Sequence, residues 1–220
     1  MNASRTQAVR QRIVELCVAL SHRGHLAGTG GNIALRIDAD RFAVTPSATD
    51  YLTMVADDVC VLRLSDLSVL EGHRAPSVES GLHARVLRAR PDVHCSIHTH
   101  QPVASACALI GRDLIVPEGA WRRTLGTRVP VVGYAPSGTG WLSSRLARAI
   151  RPDLQAYLML NHGVLCCGPD VDATVQVVED LEALCSQHLS SLIEARAKRE
   201  PAVAPALRSV TRLLSSSSRD

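Results

Sequence analysis

Residues 28–46 read GTGGNIALRIDADRFAVTP, and this stretch sets the architecture. It has the look of two short strands joined by a turn at Asp38–Asp40. A hairpin is antiparallel by construction, so a sheet begun this way is not the purely parallel sheet of a doubly wound fold. The pattern recurs. DDVCVLRLSDLSVLEG (57–72) is a second pair with its turn near Asp66, and YLMLNHGVLCCG (157–168) reads as strand, turn and strand. HCSIHTH (94–100) and VPVVGYAP (129–136) are further strands.

Helical segments lie between them. Val9, Ile13, Cys17 and Leu20 fall about one turn apart, so the N-terminal segment is an amphipathic helix ending near Arg23-Gly24. Ser77 to Arg90 is helical and is stopped by Pro91. QPVASACALIG (101–111) and WLSSRLARAIRP (141–152) are helices. A long one runs from Asp170 to about Lys198, with Val171, Val175, Val178, Leu181, Leu184 and Leu189 on its apolar side. The expectation is one α/β domain over residues 1–205 with a largely antiparallel sheet, followed by a flexible tail at 206–220.

Composition narrows the function classes. Of 220 residues, 46% are hydrophobic but only 3% aromatic, so the core is aliphatic and platforms for stacking bases are scarce. A net charge of +3 with dispersed arginines does not call for a polyanion, and no nucleic-acid partner is expected. Seven cysteines, odd in number and without a CxxC, read as reduced, buried small hydrophobes of a cytoplasmic protein. The first twenty residues mix charges into a helical pattern unlike a signal peptide, and no apolar run reaches the roughly 20 residues of a membrane span. A small-molecule substrate is the expected partner.

His98-Thr99-His100 is the sharpest chemical feature. Residues i and i+2 on a strand share a face, so both imidazoles can converge on one ion. Zinc takes three or four N, S or O ligands, and His162, in the LNHGV turn, is the natural third. Glu79 follows Ser77, which can cap the next helix; the carboxylate then sits in a first turn, either as a capping anion or as a base beside a metal. His83, one turn on, can hydrogen-bond Glu79. The glycine-rich stretch Gly28 to Ala34, followed by Thr45-Pro46-Ser47-Ala48, offers backbone N–H groups to an anion or is simply a tight start to a strand. It is not a P-loop, because no Gly-Lys-Ser/Thr closes it.

In order, GTGGN, TPS, PSxE with a histidine four residues on, HTH and NHG resemble the class II aldolase/adducin family, from about Gln7 to about Ala195. The resemblance implies a three-layer α-β-α fold with a central, mostly antiparallel sheet. It also implies a homotetramer with sites at subunit interfaces. It implies one divalent metal per chain, zinc or else manganese or another divalent ion, on His98, His100 and His162. Glu79 is then the catalytic acid/base, with His83 behind it. Gly31, Asn32, Thr45 and Ser77 match the substrate's phosphate cradle, and Ser47 beside them is a further substrate-binding candidate. Adducin-like members are scaffolds lacking the metal histidines, and this chain keeps all three.

Two departures bear on the substrate. Ala48 and Val78 replace a glycine and a serine of the cradle, which removes a donor from a phosphate. The aldolases also carry a tyrosine in the region after Pro117; here the chain reads EGAWRRTLG, where Arg122 and Arg123 either form a fork for carboxylates or face solvent. These features favour a metal-dependent carbon–carbon lyase that decarboxylates a non-phosphorylated, hydroxylated carboxylate, aromatic or aliphatic, through a metal-stabilised enolate. The alternatives are an aldolase acting on a ketose phosphate or similar hydroxy-carbonyl compound, and a non-catalytic scaffold.

Overall fold

A computed structural model of the chain describes residues 2–26 and 30–216. The opening hairpin is β1 (Asn32–Arg36) and β2 (Arg41–Val44), with Leu35 opposite Ala43. Asp38 closes its turn: Oδ1 accepts from the backbone of Asp40 and Arg41 at 3.0 and 2.9 Å, the Asx geometry that suits aspartate to turns. β3 (Cys60–Arg63) and β4 (Val69–Glu71) form the second hairpin, and β5 is Cys95–Thr99. After β6 (Leu114–Ile115), β7 (Arg128–Val129) and β8 (Val131–Val132) come β9 (Ala156–Met159) and β10 (Gly163–Gly168). The main sheet runs β4-β3-β2-β1-β5-β10-β9-β8, and every pair is antiparallel except β8 with β9.

Helices α1 (Asn2–His22), α3 (Pro102–Ala108) and α6 (Val171–Arg199) cover one face. Ile13, Leu20, Cys107, Val178 and Leu181 pack there against Ile33, Leu35, Ile97 and Cys166. α2 (Ser80–Ala89) and α5 (Gly140–Ala149) cover the other, where Leu82, Val86, Leu142 and Leu146 meet Ala34, Phe42, Leu165 and Cys167. Neighbours such as Cys166 and Cys167 therefore feed opposite cores, as strand alternation requires. Each buried Leu or Ile contributes about 1.5–3 kcal/mol, so both helical layers are held by the sheet between them. The result is the three-layer arrangement with a mostly antiparallel sheet. Thr139 caps α5 by accepting from Leu142 N, and Asp170 caps α6 by accepting from Ala173 N. All seven cysteines are buried and free of disulfides. Among the described residues no helix is long and apolar enough to cross a membrane.

Four local expectations are corrected. Residues 206–216, placed in a flexible tail, fall within helix α7 (Ala204–Ser216), which returns along α6 with Ala204, Leu207 and Thr211 turned inward at helical spacing. Residues 217–220 lie outside the described residues. The strand at 129–136 keeps only Val131–Val132 as β8; Pro130, which has no N–H for a ladder, separates it from β7, which pairs with β6 in a separate two-stranded sheet. Helix α4 (Trp121–Leu125) stands where the sequence pattern gave no element. Finally, α2 begins at Ser80. Ser77 Oγ accepts from Glu79 N at 3.2 Å, and Ser80 N donates to Ser77 O, so residues 77–80 form a turn that leaves Glu79 at the cap position, not in the first helical turn.

Candidate active site

The site lies where the central strands β1, β5 and β10 end together beneath the start of α2. Cys95 and Ile97 belong to the α6-side core, so Ser96 and His98 project to the α2 side. His98 is wholly buried, and its Nδ1 donates to Val164 O on β10 at 2.7 Å. That bond fixes the tautomer and leaves a lone pair on Nε2, the usual preparation of a metal-binding imidazole. His100 follows the end of β5 and is exposed. His162 comes from the β9–β10 turn, where Asn161 adopts φ 54°. Gly163 serves this site by what it lacks: a Cβ there would lie 2.5 Å from His100 Cδ2 and from Thr99 O, and 3.1 Å from His98 Cε1. The glycine is thus needed for close packing of the histidines, whereas the sequence suggested freedom to turn.

One ring nitrogen from each of His98, His100 and His162 lies within 4.8 Å of the others. His98 Nε2 and His100 Nε2 are 3.0 Å apart, and Glu79 brings Oε2 to 3.1 Å of His98 Nε2 and Oε1 to 2.8 Å of His162 Nε2. His162 Nε2 is buried and has no aligned hydrogen-bond partner. Lone pairs and a carboxylate crowded this closely offer a seat for a cation. Burial above all pushes His100 down to about 4, so it is a neutral donor at ordinary pH. The donor set fits a divalent metal.

Glu79 is buried at 6% exposure. Burial raises its pKa, but His162, His98 and the Ser137 hydroxyl outweigh this and hold it well below the usual carboxylate range. Ser137 Oγ donates to Oε1 at 2.7 Å, and Asn32 Nδ2 donates to Oε2 at 2.8 Å. His83 does not touch Glu79 as expected. It lies one layer behind, with Nε2 2.6 Å from Asn32 Oδ1 and Nδ1 2.7 Å from Ser96 Oγ.

Beside the histidines a cavity of 190 Å³ opens, and Gly31, Asn32, Ser47, Ser77, Glu79 and His100 are on its wall. Ala48 and Val78, the departures from the cradle, line it too; Val78 is 67% exposed and Ala48 adopts φ 48°. Gly31 has φ 86°, and a Cβ would strike His98 O at 2.6 Å, so this position demands glycine on both counts. Of the preceding glycine-rich stretch, residues 28 and 29 lie outside the described residues. Thr45 does not reach the cavity: it is wholly buried, and its Oγ1 accepts from Ile33 N. Arg122 and Arg123 are exposed on α4, where Arg122 Nε donates to Val116 O; neither lines the cavity. Three residues of the site escaped the sequence reading. Ser96 was open to discovery, since it precedes His98 by two on a strand. Ser137 and Tyr51, whose hydroxyl donates to Gly31 O, come from loops without a periodic signal.

The family model described as Class II Aldolase and Adducin N-terminal domain matches residues 11–189. The 5-deoxy-D-ribulose 1-phosphate aldolase of Bacillus thuringiensis serovar kurstaki is 31% identical over 183 residues, 82% of this chain and 84% of its own length. The L-fuculose phosphate aldolase of Methanocaldococcus jannaschii is 28% identical over 187 residues, 84% of this chain and 97% of its own. Among solved structures an L-fuculose 1-phosphate aldolase superposes with TM-score 0.76 at 25% identity, covering 94% of this chain and 96% of that one.

Proposed function

Since the chain belongs to the class II aldolase and adducin family and is a metal-dependent lyase, we propose that it performs aldol cleavage of a ketose phosphate or a similar hydroxy-carbonyl compound. The observation that carries this reading is the Glu79 carboxylate, buried, ionised and held by two donors within 3.1 Å of two of three converging imidazoles. A scaffold protein has no use for a buried anion so placed. His98, His100 and His162 would hold the metal, for which zinc is our choice because the donors are neutral imidazoles without thiolates. When bound, the divalent ion supplies positive charge where a C–C bond cleavage accumulates negative charge. Glu79 takes a proton from the substrate in one direction of the reaction and returns it in the other. Gly31, Ser47 and Ser77 orient the substrate from the cavity wall. A homotetramer in the cytoplasm, with sites at subunit interfaces, completes the proposal.

Aldol cleavage moves ahead of decarboxylation because Arg122 and Arg123, the intended anchors of a second carboxylate, are outside the cavity of their own chain. The similar proteins named above are also aldolases. Decarboxylation of an unphosphorylated acid stays as the second reading, favoured by Val78 and Ala48 on the cavity wall. Metal-loaded enzyme should release aldehyde from 5-deoxyribulose 1-phosphate or fuculose 1-phosphate, and Glu79→Gln should lower turnover by roughly 10²–10⁴-fold. Release of CO2 from hydroxy-aromatic dicarboxylates, with no aldehyde from either sugar, would reverse the order of the two readings.

A further inference from the structure

The Asn32 side chain is committed at both ends. Nδ2 donates to Glu79 Oε2 at 2.8 Å, while Oδ1 lies 2.6 Å from His83 Nε2. The ionised carboxylate fixes this orientation, because a flipped amide would set two oxygen acceptors face to face. Oδ1 can only accept, so His83 must carry its proton on Nε2. Its Nδ1 then accepts from Ser96 Oγ at 2.7 Å. Ser96 and His83 are wholly buried and Asn32 is 5% exposed. The donors therefore run one way, from Ser96 on β5 through His83 on α2 and Asn32 on β1 to Glu79.

We infer that Asn32 is a positioning residue for the Glu79 carboxylate, locked by the Nε2–H tautomer of His83. This rests on the reading of Glu79 as acid/base. Rotating the amide would strip Oε2 of its donor and leave His83 facing the wrong end of it. Supporting residues of this kind typically govern 10- to 100-fold of activity.

The test has two arms on the metal-loaded protein. Nitrogen-15 NMR of the histidine rings, with the His83 signals assigned through His83→Gln, should show a protonated Nε2 and an unprotonated, hydrogen-bonded Nδ1; a proton on Nδ1 overturns the inference. With 5-deoxyribulose 1-phosphate, His83→Gln, whose amide nitrogen stands in for Nε2–H, should retain kcat. His83→Asn, which places its nitrogen near Nδ1, should lose about 10- to 100-fold at unchanged KM and metal content. Equal kcat in both, with Glu79→Gln inactive, overturns the relay while leaving Glu79 in its role. Full activity in Glu79→Gln instead removes the acid/base reading, and the tautomer arm still decides the placement of Asn32.

Discussion

Asn32 stands directly opposite His98 in the antiparallel β1–β5 ladder, so one backbone register sets both the residue that steadies Glu79 and the first imidazole of the metal group. On the other side of β5, His98 pairs with Leu165 of β10, four residues from the turn that carries Asn161. The site is thus an outcome of strand pairing. A slip of one residue in β5 would turn His98 and Ser96 to the opposite face.

Metal content is the first consequence. Wild-type protein should carry about one divalent ion per chain, and His100→Ala should lose most of it, because two imidazoles do not complete a zinc site. His100 is exposed, so its removal should disturb the fold little. Elemental analysis of the two proteins side by side is the measurement, and equal content would break the assignment.

Much of this was legible in the sequence, for physical reasons that differ by element. Strand alternation placed His98 and His100 together, and three hairpins announced an antiparallel sheet. Contacts between distant segments were hidden: Asn32 and Glu79 are 47 positions apart, Ser137 and Glu79 58, and nothing local marks such pairs. The pair β6–β7 was invisible because two-residue strands have no period to read. α7 was missed because its serine-rich end masks the Ala204, Leu207, Thr211 stripe. The role of Arg122 and Arg123 was misjudged from their nearness in sequence to the expected site, whereas α4 packs against α6.

Gly163 should tolerate no side chain. Its added Cβ would meet Thr99 O at 2.5 Å, and a strand carbonyl cannot swing aside as a flexible side chain can. Gly163→Ala should cost about 1–3 kcal/mol by overpacking and lower metal content as the histidines are pushed apart. Gly140→Ala is the control, since nothing lies within 4 Å of its Cβ position. Similar melting points and metal contents for both variants would show that the sheet yields at this position.

Ala48 is an L residue at φ 48°, on the cavity wall where the aldolases resembled here carry glycine. That conformation costs an alanine roughly 1–2 kcal/mol, only partly offset by its lower chain entropy when unfolded. Ala48→Gly should therefore stabilise the protein by about 0.5–1 kcal/mol, seen as a melting point higher by a few degrees. A lower melting point would mean that the Ala48 methyl makes a packing contribution larger than its strain.

Acid should destabilise the fold partly through His83. Burial above all pushes its pKa down to about 3, against a smaller raising effect of Glu79. Its direct partners, Ser96 and Asn32, are uncharged. The unfolded chain takes up this proton near 6.5, so between about pH 3 and 6.5 it binds more protons than the native state, and stability falls as pH falls. The contribution is fully present above 6.5, and at pH 5 the loss is about 2 kcal/mol, one and a half units at 1.36 kcal/mol each. His100, pushed down to about 4, adds in the same direction and titrates in both proteins compared. Melting points of wild type and His83→Gln measured from pH 8 to pH 5 isolate the His83 share: the wild type should drop by about 4–8 °C more than the variant. Parallel curves would mean that native His83 takes up its proton as readily as the unfolded chain, which would also undo the step from Ser96 to His83 in the donor chain.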